Sequence, residues 1–255
     1  MPSIHFANLE SSIHELKRVY LDAALSVTTV SPDHQELARA FLMFAHSELE
    51  FFVEEALREL AQHSFNCAVS GSYGRTALAL ITFSGLEPLH GGTALGSGKK
   101  KPRQLATRFG HSHNEIVSRI DGNCGVREKH LAQMAVPLGL DASLIDNTWL
   151  NELDAFCSKR GAFAHTSRTS QRGSHLAVNP QDIWTNCQRV VWTNAALAVP
   201  GMISSFQSLD DWIEAEKSTV GPTIIAPSWR LRLSHLISAL ICRLSRNRQI
   251  DDDDD

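Results

Sequence analysis

Residues 153–167 read LDAFCSKRGAFAHTS, and the rest of the chain takes its meaning from them. Leu150, Leu153, Phe156 and Cys157 recur at helical spacing and form one apolar stripe, the mark of a helix anchored on a core. Past the stripe stand Arg160 and His165, with Gly161, Ala162 and Ala164 keeping the surface between them low. A polar run, TSRTSQRGSH, follows at 166–175 and leaves the imidazole open to a ligand. An imidazole beside a guanidinium suits cleavage of an RNA phosphodiester without a metal. The imidazole moves a proton, and the guanidinium neutralises charge on the phosphorane. Five residues of unbroken helix turn two positions about 140° apart. The helix is therefore expected to end or distort near His165.

Spacing alone does not select this pair. With seventeen arginines and twelve histidines, roughly one Arg-x4-His is expected by chance, and the chain holds four: Arg58/His63, Arg108/His113, Arg160/His165 and Arg230/His235. Arg58/His63 closes a long helix among glutamates and reads as a solvated face. Arg230/His235 lies inside a well-patterned C-terminal helix. Arg108/His113, in RFGHSH, is the nearest rival, because Gly110 and three basic groups suggest exposure. The anchored helix before Arg160, the small residues after it and the open loop beyond favour the third pair.

Outward from the motif the chain reads as helices. Residues 3–29 carry Ile4, Leu9, Ile13, Leu16, Tyr20 and Leu21 at helical spacing. Ser31-Pro32-Asp33 restarts a helix over about 32–64 with a capping serine, proline in the first turn and an early acid. Residues 65–102 hold seven of the fifteen glycines and read as a long insertion; Ala77–Phe83 within it fits a helix or a strand. Helices are expected again at 103–120, 126–136 and 141–165, from Asn179-Pro180 to a break at Pro200-Gly201, towards Trp212 and Ile213, and at 228–247. Nothing alternates as a strand does. The expected fold is all-α, a bundle in one domain over 1–250, with residues 251–255 a disordered acidic tail.

Composition agrees. At 255 residues and 43% hydrophobic, the chain can bury a full core. Its net charge of -4 is carried by the five terminal aspartates, so local charge matters more than the total. Five scattered cysteines show no CxxC pair and make a poor disulfide framework, which points to a reduced, cytoplasmic setting. The first twenty residues lack an apolar signal core, and no apolar run reaches the length of a membrane span. GGTALGSGKKK at 91–101 glances at a phosphate loop, but the spacing is one too long and Lys100 stands where Ser or Thr is required. Lys99, Lys100, Lys101, Lys159, Arg168 and Arg172 are candidate RNA-attracting charges.

FCSKRGAFAHTS (156–167), preceded by an amphipathic helix and followed by NPQDIWTNCQRVVWTN (179–194), resembles the R-x4-H segment of HEPN-domain proteins. The most similar branch is that of the RiboL-PSP-HEPN or MAE-type HEPN ribonucleases. HSELEFFVEEAL (46–57) resembles the second helix of that family, where a glutamate precedes aromatic residues. The likeness covers about 32–64 and 145–200. In one respect the chain departs from the pattern. The family often has Asn, Asp or His directly after the arginine, and here stands Gly161, which removes a polar group that helps order the site.

The resemblance implies an antiparallel helical bundle, here with a glycine-rich insertion and an extra C-terminal helix. It also implies a metal-independent endoribonuclease, without cofactor, acting by 2′-hydroxyl attack to leave a 2′,3′-cyclic phosphate and a 5′-hydroxyl. By resemblance Arg160 stabilises the phosphorane, His165 transfers the proton and Glu50 is the acidic helix residue that holds Arg160. A homodimer with a composite cleft supplies acid and base from two copies. A toxin or phage-defence role under a regulatory partner is the expected setting. The alternative is a non-catalytic helical module that dimerises or docks a partner.

Overall fold

The computed structural model describes residues 1–83, 101–165, 178–194 and 199–219, without the side chains of 83, 101–106 and 163–165. The described residues form helices and no strand; a single bridge pairs Ile145 with Ile203. No helix among them is long and apolar enough to cross a membrane.

Helix α1 runs Ile4–Tyr20. Ser3 caps it, its Oγ accepting from the Phe6 N–H at 3.1 Å. Ser3 is in turn held by Asp210, whose Oδ2 accepts the Ser3 N–H at 2.9 Å. The single helix expected over 3–29 is interrupted at Leu21, and a short α2 (Asp22–Leu25) follows. The break keeps both Leu21 and Ala24 buried. Helix α3, Pro32–Val69, begins at the expected signal: Ser31 Oγ accepts from the His34 N–H at 3.2 Å. It outlasts the expected end at 64, because Ser64 and Ala68 continue its buried face.

Ala77–Phe83 resolves as helix, within α4 (Arg75–Phe83). After it come α5 (Lys101–Asp121), α6 (Glu128–Ala135), α7 (Asn147–His165), α8 (Pro180–Val191) and α9 (Phe206–Ser218). The first part of the helix expected over 141–165 is a 3-10 turn, Ala142–Leu144, capped by Asp141. Asn179 caps α8 with Pro180 in its first turn, as its sequence signal requires. The glycine-rich stretch 84–100, the polar run 166–177, the helix expected at 228–247 and the acidic tail lie outside the described residues.

The chain divides into two compact units. One comprises Met1–Arg58, Ile120–Val136 and Leu140–Ala215. Its core is aromatic and dense: Phe52 meets Phe6 and Phe206 edge-on at centroid distances of 5.9 Å, and Trp149 meets Phe206 at 5.4 Å. The other comprises Glu59–Arg119, Pro137–Gly139 and Glu216–Asp255. Its described core gathers Ala68, Tyr73, Ala77 and Phe109, with Phe65 and Ile81 against them. Ion pairs join Arg75 to Glu216 and Lys217 to Glu59 on its surface.

Candidate functional site

Three elements of the first unit meet around the motif. Helix α7 is fixed from behind: Leu153, Phe156 and Cys157 are buried, and the Trp149 Nε1–H donates to the Val190 carbonyl of α8 at 3.1 Å. Helix α6 starts at Arg127, whose own side chain does not cap it. Asp154 of α7 does part of that work, its Oδ1 accepting from the Glu128 N–H at 3.3 Å. Gly125, at φ +156°, lets the chain turn beneath His130: a Cβ there would lie 2.9 Å from the His130 Nδ1. Helix α3 contributes His46 and Glu50, one turn apart, with His46 Nδ1 3.8 Å from Glu50 Oε2.

Together these elements line a cavity of about 790 Å³. Arg160, Arg127, Lys129, His46 and His130 face it, with Glu128 and Asp154 as its acids. Gly161 is also in the wall beside the Arg127 guanidinium: a Cβ at 161 would meet Arg127 Nη2 at 3.7 Å, an ordinary contact. Neither Arg127 nor Arg160 has an ion-pair partner among the described residues. Arg160 Nε, His46 Nδ1 and His130 Nδ1 are buried without a hydrogen-bond partner there. Native proteins seldom leave buried polar atoms unpaired, so these three call for a partner such as water or a ligand.

The electrostatics follow from burial and the two arginines. Burial, then Arg160, then Arg127 push His46 down from 6.5 to about 4, so its imidazole is neutral at pH 7. Burial and the neighbouring Glu54 raise the Glu50 carboxyl above its usual range, and Arg160 partly offsets them. Burial drives the Cys157 thiol up to about 12 against the pull of Arg127 and Arg160, which makes it an inert lining group.

A family model described as RiboL-PSP-HEPN matches residues 7–191. The chain belongs to that family. The match runs from α1 to the end of α8 and contains every residue that lines the cavity. No curated protein and no solved structure matches the chain.

Among the residues singled out in the sequence, Arg160 lies in the cavity wall and Glu50 lies behind it, within its electrostatic reach. They form no direct ion pair. Lys159 is half-buried on α7 and does not line the cavity. Helix α7 runs unbroken from Arg160 as far as His165, where the described segment ends, so no distortion separates the pair. The His165 side chain and the whole of Lys99, Lys100, Arg168 and Arg172 lie outside the described residues, as does the Lys101 side chain.

The other three Arg-x4-His pairs fare differently. Arg58 is taken up by Glu55 and Asp121. His113 stacks on Phe65 at 4.8 Å, and burial lowers its pKa. Arg230 and His235 are not described.

The sequence reading of the site missed His46, Arg127, Lys129 and His130. For His46 a signal existed, since HSELE sets it four residues before Glu50 and hence on the same helical face. Arg127 carried none, because a loop residue ahead of a short helix has no periodicity to place it.

Proposed function

We propose that this RiboL-PSP-HEPN protein is a metal-independent endoribonuclease that cleaves RNA by 2′-hydroxyl attack. One observation carries the reading: Arg160, in the family's R-x4-H position, has a buried Nε without a partner and faces a cavity rich in basic groups. In the reaction Arg160 takes up the charge that develops on the phosphorane. His165 transfers the proton, and Glu50 biases the Arg160 guanidinium from behind. Lys159, Arg168, Arg172 and Lys99–Lys101 draw the RNA backbone by charge.

The working form is a homodimer that brings two R-x4-H segments to one cleft, within a single HEPN-like domain over residues 1–250. The setting is cytoplasmic, as a toxin or phage-defence effector held by a regulatory partner. A second reading, a helical interaction module without activity, draws on Phe44 and Phe51, exposed at 50% and 61% and two turns apart on α3. Incubation of the purified protein with total RNA in EDTA separates the two. Cleavage lost in His165→Ala supports the ribonuclease; uncut RNA at high protein concentration supports the module.

A further inference from the structure

The cavity holds more than the R-x4-H motif supplies. Arg127 comes from the start of α6, Arg160 from α7 and His46 from α3, so three separate elements converge on one space. His46 is only 4% exposed, yet its Nδ1 has no hydrogen-bond partner. Arg160 Nε is likewise buried and unmatched. Arg127 is exposed, and its guanidinium lies beside Gly161 of α7. We propose that Arg127, Arg160 and the Nδ1 of His46 form one oxyanion site that takes a phosphate group of the RNA.

Two guanidiniums supply planar pairs of N–H donors, the geometry that matches phosphate oxygens. The neutral imidazole supplies one more donor without adding a third charge, in the tautomer that carries its proton on Nδ1. The charged groups that face His46 pull both ways. Glu50 on its own helix is the nearest acid, at 3.8 Å, and Arg160 and Arg127 oppose it from α7 and the α6 start. Glu54 and Cys157 lie further along the same surfaces. A bound phosphate offsets the two arginines, so His46 becomes easier to protonate when the site is filled.

The site deepens the ribonuclease reading and rests on it for the identity of the ligand, but phosphate binding is testable without activity. The experiment follows the histidine ring nitrogens of the full-length protein by NMR while inorganic phosphate is added, with chloride at equal ionic strength as control. His46→Gln assigns the signal. The expected result is a saturable shift of the His46 resonances with phosphate and not with chloride. Arg127→Gln is expected to weaken that binding on the order of tenfold, with Arg127→Lys intermediate. A non-cleavable 2′-deoxy oligonucleotide should displace the phosphate. No saturable shift, or a shift of unchanged affinity in Arg127→Gln and Arg160→Gln, overturns the proposal. Phosphate binding without RNA cleavage leaves the site standing and refutes the ribonuclease. Cleavage that is unaffected by Arg127→Gln, with His46 blind to phosphate, does the reverse.

Discussion

Replacing His46 by glutamine should flatten the acid side of the stability curve. His46 is buried, and its folded-state pKa of about 4 lies below the ordinary value of 6.5. The depressed value means that the unfolded chain binds this proton first. Stability is therefore intact above about pH 6.5 and falls as the pH drops from there towards 4. Between pH 7 and pH 5 the two pKa values give a loss of at most about 2 kcal/mol from this one group.

Glutamine fills a similar volume and does not titrate, so any constant cost of the substitution cancels in the pH difference. Glu50, raised by burial, has the opposite sign and gains stability as acid is added, but it stands in both proteins and so drops out of the comparison. The assay is urea unfolding of both proteins at pH 7 and pH 5, with fixed slope. The wild-type protein should lose roughly 1–2 kcal/mol more than His46→Gln over that interval. Parallel losses would show that His46 is not held neutral, and the electrostatic account of the cavity would fall with it.

Three further outcomes are expected. Ser3→Ala removes the cap of α1 and a partner of the buried Asp210, at a cost of about 2 kcal/mol in urea unfolding. Gly161→Ala adds a Cβ that meets only Arg127 Nη2, at 3.7 Å, inside a helix. It should raise stability by about 0.5–1 kcal/mol, read by calorimetry. Iodoacetamide at pH 8 should label the exposed Cys124 well before Cys157 and Cys187, whose thiols burial keeps protonated. Mass spectrometry of the peptides gives the order.

Much of the fold was legible because long amphipathic helices announce themselves by period and by caps. Ser31-Pro32 and Asn179-Pro180 set helix starts that the structure keeps. The stripe through Leu153 and Phe156 is buried as its spacing requires. Local signals failed where packing decides. The break at Leu21 serves two buried residues, and Ala77 of α4 packs in a core with Ala68 and Phe109, which come from other helices.

For the site, the motif pointed to Arg160, whose neighbourhood is a product of tertiary structure. Arg127 stands beside Gly161 because Asp154 holds the start of α6 against α7. That contact has no trace in periodicity. His46 was within view in HSELE, but its burial and its missing partner emerge only when α6 and α7 close over α3.

On the proposed reading, this chain cuts RNA with Arg160 and His165 and without a metal. The measurement is cleavage of RNA in EDTA by the wild-type protein, Arg160→Ala and His165→Ala, with product ends analysed chemically. The account predicts 2′,3′-cyclic phosphate and 5′-hydroxyl ends from the wild type. It predicts a loss of at least about a hundredfold in either variant, with folding and the dimer intact. Cleavage that EDTA stops and that His165→Ala leaves unchanged would contradict it.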